Sequence, residues 1–260
     1  MRAAVTTLVL VVAACGDNNF ATDAVDAAAD ATPDVAIDAD PCPTDSVREI
    51  QAGTPGTDPS AYPAPGWWSA DTRANGTVAV DDTLGVPTGF GCRSARFTTG
   101  ETTGTPAADK AQLISFALAG TNLSSINTIS YWAYRDSAST GGPAIALSLN
   151  VAVTGSTVPN ETANLVYEPY QQSTGNAGIL VDTWQHWDAT ATTPGDGLWW
   201  TSRIANPDPG SQANPQPWAT FQALWSDAKV VGYGFNLGSY NPNMIVAGDG
   251  LVFGTTTTNF

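Results

Sequence analysis

The chain has 260 residues, 42% hydrophobic and only 13% charged, with nine Trp, 25 Gly and 18 Pro, which is ample apolar material for one large core. Its net charge of −15 is unevenly spread: eight acids lie in residues 16–45 and the base Arg2 precedes them, leaving 16 acids and eight bases, a net −8, for residues 46–260. That balance excludes a nucleic-acid partner, whose phosphates need a basic face, and an electrostatic grip on anionic lipid; many Gly and Pro with few Lys argue against a helical protein.

The chain opens with Met1-Arg2, an apolar run from Ala3 to Ala14, and Cys15. One base followed by about a dozen apolar residues is the n-region and h-region of a secretory signal. The run is too short to span a bilayer, which takes about 20 residues. Val12-Ala13-Ala14-Cys15 resembles the bacterial lipobox. The resemblance implies that residues 1–14 are a signal peptide and that Cys15 is acylated, so that the exported protein is anchored in a lipid bilayer. Several acyl chains hold firmly, since each buried methylene contributes about 0.8 kcal/mol. Gly16, with no Asp after the cysteine, is similar to the pattern sorted to the outer membrane or cell surface. The alternative is an ordinary signal peptide with a chance cysteine.

Residues 16–45 hold Asp17, Asp23, Asp26, Asp30, Asp34, Asp38, Asp40 and Asp45 with no Lys or Arg. Little there can offset the entropy of ordering, and like charges extend the chain, so 15–45 is expected to be a disordered tether behind the lipid. Thirty such residues reach about 100 Å stretched and roughly 30 Å on average if flexible. Pro33, Pro41 and Pro43 interrupt any helix; calcium binding by the Asp run is the sharper alternative. With Cys15 taken by lipid, Cys42 and Cys92 remain as a pair for an oxidising compartment. Their bridge would close a loop of about 50 residues and stabilise the fold by roughly 4 kcal/mol. Two free thiols, or one paired with another molecule, are the other options. No CxxC or Cys/His cluster is present for zinc.

Residues 46–260 read as one all-β domain. Ile145, Leu147, Leu149, Val151 and Val153 alternate with Ala146, Ser148, Asn150 and Ala152, the period of a strand. Val231, Tyr233, Phe235 and Leu237 alternate with Val230, Gly232, Gly234 and Asn236 in the same way. Further strands are predicted over 77–81, 94–98, 112–118, 126–135, 163–168, 183–188, 198–203 and 250–254, separated by turn clusters such as Ser139–Pro143, Gly195–Gly197 and Asn241–Asn243. One helix is predicted over 218–227, with Phe221, Leu224 and Trp225 at helical spacing. Ten short strands point to two packed antiparallel sheets, a β-sandwich.

Gly66-Trp67-Trp68, Gly91–Phe97 and Ala247–Phe253 resemble the first and last strands of galactose-binding-like jelly rolls, a frame shared with carbohydrate-binding modules of secreted bacterial enzymes. Ile129–Arg135, Leu165–Tyr170 and Trp184–Asp188 are similar to segments of uncharacterised secreted β-sandwich proteins. The resemblance implies a structural Ca²⁺ held by Asp249, with Asp81 or Asp82.

Many of the Trp fall in close pairs: Trp67/Trp68, Trp184/Trp187 and Trp199/Trp200. Neighbours on a strand face opposite ways, so one ring of each pair is expected in the core and the other at the surface. An exposed indole or phenol offers a flat apolar face to a sugar ring and a polar edge for hydrogen bonding. Trp68, Trp132, Tyr134, Tyr170, Trp187 and Trp200 are the candidate contacts for a polysaccharide or other glycan; for any single Trp, core packing is the alternative. Glu168 and Asp188 are the carboxylate pair to test for glycoside chemistry, which needs two acids about 5–10 Å apart across a cleft. Capping, or pairing of Glu168 with Arg135 or Arg203, competes with that role. His186, the single histidine, has no Gly-x-Ser-x-Gly partner motif. A carbohydrate-binding or adhesive surface lipoprotein is the leading expectation. A structural or protein-interaction lipoprotein without small ligand comes second, and a glycoside-active enzyme third.

Overall fold

The structure, a computed structural model, describes residues 42, 44–47, 49–52, 66–101, 109–141, 147–202, 210–238 and 241–260. Cys15, most of the Asp-rich segment and Arg203 lie outside these residues.

The chain forms two antiparallel sheets, as the short alternating segments predict. The strands are β1 (Trp67–Trp68), β2 (Thr77–Asp81), β3 (Ser94–Thr98), β4 (Ala111–Ser115), β5 (Ile129–Arg135), β6 (Ser148–Thr154), β7 (Thr162–Tyr167), β8 (Gln185–Asp188), β9 (Leu198–Ser202), β10 (Gln216–Pro217), β11 (Lys229–Leu237), β12 (Ile245–Phe253) and β13 (Thr256–Thr258). A seven-stranded sheet runs β1-β4-β11-β6-β7-β9-β10, and a second runs β2-β3-β12-β5-β8 with β13 paired to β12. The one α-helix among the described residues, α1 (Trp218–Leu224), follows β10. No described helix is long and apolar enough to cross a membrane.

Aromatic rings zip the sheets together. Phe235 of β11 meets Phe97 of β3 and Tyr131 of β5 at 5.9 and 5.6 Å, and Tyr233 stacks on Phe253 of β12 at 4.2 Å. Ring pairs of this kind add about 0.5–1.5 kcal/mol beyond the area they bury. Tyr131 donates its hydroxyl to the Leu147 carbonyl at 2.6 Å, so its polar end is satisfied inside the core. A Cβ on Gly234 would lie 2.0 Å from the Leu113 carbonyl oxygen, so only glycine lets β11 and β4 pair this closely.

The fold departs from the sequence pattern at several points. First, β11 carries a bulge between Val230 and Gly232, which turns Val230 into the core and leaves Val231 half-buried; simple alternation assigned them the opposite way. Second, the last long strand begins at Ile245, five residues before the predicted start. Third, α1 ends at Leu224, and that residue is 49% exposed while Trp218, Phe221 and Trp225 are buried. Fourth, the domain starts before residue 46. Cys42 is bonded to Cys92, and Asp45, counted as a tether acid, is buried with its carboxylate accepting from Cys92 N and Arg93 Nε, both at 3.2 Å. Ser46 and Val47 donate their backbone N–H groups to the Asn259 carbonyl, joining both ends of the described domain.

Candidate functional site

The six aromatic candidates do not share one surface. In β5, Ile129, Tyr131, Ala133 and Arg135 are buried, while Ser130, Trp132 and Tyr134 face out. The register pairs Trp132 with His186 and Tyr131 with Trp187. Trp132 and Tyr134 therefore lie on the outer face, whereas Trp187 turns inward and packs against the core. Trp187 is partly buried on the inward side of β8, where surface exposure was expected, and its partner Trp184 takes the outer position.

Trp132 and His186 have ring centroids 5.2 Å apart, and Tyr134 and Trp184 5.6 Å apart, so four rings form a ladder across β5 and the β8 edge. Phe90 abuts Trp132 at 6.3 Å, seated over Gly250, whose φ of +56° and lack of a Cβ make room for the ring. The loop before β8 is pinned beside the ladder. Asp182, at φ +52°, donates its N–H to the Arg135 carbonyl. Its Oδ1 accepts from Ser137 N at 2.8 Å and Tyr134 Oη at 3.3 Å. The Ser137 hydrogen bonds hold the Asp182 carboxyl below its ordinary range. Gln185 adds a second clamp, accepting from Leu180 N and donating to the Gly178 carbonyl. The clamped loop presents Leu180 and Val181, 49% and 45% exposed.

Tyr170 and Trp200 meet on the other sheet. Trp199 is fully buried and donates Nε1–H to the Ala189 carbonyl, so Trp200 faces outward. Glu168 follows β7, and Pro169 turns the chain so that Tyr170 reaches back to it. Glu168 Oε2 accepts from Tyr170 Oη and Trp200 Nε1, each at 2.8 Å, and from Gln212 Nε2 at 3.4 Å. Burial pushes the Glu168 carboxyl up against the pull of those three donors. Burial and Glu168 together push the Tyr170 hydroxyl up to about 12. Trp68 stands apart from both groups, half-buried on the β1 edge beside Gln51.

Glu168 and Asp188 belong to different sheets and share no hydrogen-bond partner among the described residues: Glu168 follows β7, and Asp188 ends β8. Asp188 is taken up locally, accepting from Thr190 N and Oγ1, both at 2.9 Å. Arg135 is buried and donates to the Gly141 carbonyl, away from the contacts of Glu168.

Asp249, and Asp81 or Asp82 expected with it at a calcium site, belong to no group of three or more potential metal ligands among the described residues. Asp81 is paired with Arg96 at 2.7 Å and accepts from Thr83 N, while Asp82 is exposed. Asp249 is fully buried; its Oδ1 accepts from Gly250 N at 2.7 Å and Phe260 N at 3.0 Å, and its Oδ2 has no partner among the described residues. Burial, reinforced by Asp45, pushes the Asp249 carboxyl up to about 7. The one group of three potential ligands at metal-binding spacing among the described residues is Cys42, Asp45 and Cys92, whose cysteines form the disulfide.

No protein-family model, curated protein or solved structure matches this chain.

The sequence puts Trp132 and Tyr134 forward as candidates without pointing to Trp184, His186 and Asp182 as their neighbours. The signal was present: Trp184 and His186 share the parity that Trp132 and Tyr134 show on the facing strand.

Proposed function

We propose that this chain is an exported surface lipoprotein whose β-sandwich binds carbohydrate through the ladder formed by Trp132, Tyr134, Trp184 and His186. The observation that carries the reading is four rings in register on an outer sheet face, where folding alone asks for polar side chains. Burying a large apolar side chain contributes about 1.5–3 kcal/mol, so rings left half-exposed give up stability that an inward position would supply. Aromatic faces in a row suit the C–H faces of successive sugar residues, and the clamp at Asp182 fixes the Tyr134 end before any ligand arrives, which lowers the entropy lost on binding. The resemblance to carbohydrate-binding jelly rolls supports the same reading, and the lipobox-like start supports display at the cell surface.

The test is a titration of the mature protein with a broad glycan panel, followed by intrinsic fluorescence and calorimetry. At least one polysaccharide is expected to shift the Trp emission, and Trp132→Ala and Trp184→Ala are each expected to abolish the shift. A panel without any response, or binding unaffected by both substitutions, refutes the reading. Mass spectrometry of the native N-terminal peptide checks the anchor: an acylated Cys15 is expected. Exposed Leu180 and Val181 beside the ladder favour a protein partner as the second reading, which a binding partner sensitive to Leu180→Ser and indifferent to Trp132→Ala would establish.

A further inference from the structure

On the sheet opposite the ladder, three neutral donors converge on one oxygen of Glu168. Tyr170 Oη, Trp200 Nε1 and Gln212 Nε2 all reach Oε2, and Gln212 also donates to Tyr170 Oη at 3.1 Å. Oε1 receives none of them, and no Lys, Arg or His pairs with the carboxylate among the described residues. A partly buried carboxylate without a counter-charge is costly, and natural folds pair it or do without it. Nearby, Gln171 spends its Nε2–H on the Gln212 carbonyl, while its Oε1 is buried without a donor. The cluster thus holds a carboxylate without a cation, the Tyr170 O–H and Trp200 N–H being already committed to Glu168 and the amide N–H groups shared among Glu168, Tyr170 and the Gln212 carbonyl. A ligand that completes it must bring donors and positive charge.

We infer that Glu168, Tyr170, Trp200, Gln171 and Gln212 form a second binding site, selective for a sugar carrying a free ammonium group. The ammonium pairs with Glu168, the ring lies against the Trp200 and Tyr170 aromatics, and hydroxyls meet the exposed Gln212 side chain. An alkyl ammonium such as a lysine side chain satisfies the carboxylate but leaves the amide groups unused, so the amino sugar is the better match. N-acetylation removes both the charge and two of the donors, and abolishes the fit. This site goes beyond the ladder reading and stands or falls separately from it.

The experiment titrates the full mature chain with a fully deacetylated glucosamine tetramer, its N-acetylated counterpart and a tetralysine peptide, read by calorimetry and Trp fluorescence. The deacetylated sugar is expected to bind at least about tenfold more tightly than the other two, the scale of one charge-assisted hydrogen bond. Glu168→Gln is expected to remove that preference. Asp82→Asn, which deletes an equal charge at an exposed position, is expected to leave it unchanged, as is Trp132→Ala on the other sheet. Trp200→Ala, which keeps the carboxylate and removes the ring, is expected to weaken the deacetylated sugar about tenfold and tests the site even if Glu168→Gln fails to fold. Equal binding of the acetylated sugar overturns the proposal. So does a matching loss in Asp82→Asn, which would mark general attraction to an acidic protein, or tetralysine binding as tightly with the same dependence on Glu168.

Discussion

Asp249→Asn should make the domain more stable in alkali and change little in acid. The buried carboxyl is pushed from its ordinary 3.8 up to about 7 by burial and by Asp45, whose own carboxylate is held by Cys92 N and Arg93. Between those two values the native state keeps a proton that the unfolded chain has released. Stability from this group is therefore fully present below the unfolded value and is lost as pH rises through the folded one. At about 1.36 kcal/mol per pH unit, the gap amounts to about 4 kcal/mol as an upper bound. Asparagine keeps an oxygen for Gly250 N and Phe260 N but carries no charge to desolvate. It introduces an unpaired N–H, worth about 1–3 kcal/mol, yet the protonated carboxyl has an equivalent unpaired O–H. The measurement at pH 4 therefore absorbs that penalty. Urea unfolding followed by Trp fluorescence from pH 4 to pH 8 should show the variant gaining on the wild type by up to about 4 kcal/mol. Because every other titrating group is common to both proteins, a difference that stays constant with pH refutes the buried-charge reasoning.

Cys92→Ser should lower unfolding free energy by about 4 kcal/mol, the chain-entropy value for this loop of about 50 residues; identical urea midpoints would show that the bridge contributes nothing. Trp199→Ala should cost about 3–5 kcal/mol, as a fully buried ring that also satisfies the Ala189 carbonyl. Trp200→Ala should cost clearly less, and equal losses for the two would contradict the inward–outward assignment. Asp182→Ala should leave the melting temperature nearly unchanged while releasing Tyr134 and Ser137, seen as faster amide exchange at Ser137 and weaker glycan binding. Unchanged exchange there would dismiss the clamp.

Local pattern carried most of the architecture. The predicted strands at 77–81 and 94–98 match β2 and β3 residue for residue. Prediction failed where a tertiary contact overrides the pattern. The β11 bulge changes parity at Val230 for reasons set by β6, not by its own residues. Leu224 has helical spacing but falls in the last turn of α1, where the chain leaves the core. The Trp pairs show the limit most clearly. Parity states that adjacent rings part, and Trp199 and Trp200 do, but it does not say which member goes inward. For Trp184 and Trp187 that choice depended on the β5–β8 register, which placed Trp187 opposite Tyr131. Asp45 looked like one more tether acid because Arg93, its counter-charge, lies 48 residues away.

The same connectivity bears on how an anchored binder would carry load. Under the proposed reading, tension enters from the membrane side through residue 42 and from the ligand side through the ladder on β5 and β8. Cys42 is bonded to Cys92, two residues before β3, and β3, β12, β5 and β8 are consecutive neighbours in one sheet. Force then runs from bridge to ladder through backbone hydrogen bonds of a single sheet, bypassing the packing between the two sheets. Without the bridge, the N-terminal segment is held by Asp45 at Cys92 N and Arg93 and by Ser46 and Val47 at Asn259, contacts that open one after another. Reduction should therefore leave solution affinity for the glycan intact while sharply lowering the force at which a glycan-coated tip detaches the domain from its N-terminal attachment with extension of the chain. Equal rupture forces and extensions for oxidised and reduced protein would place the load path elsewhere.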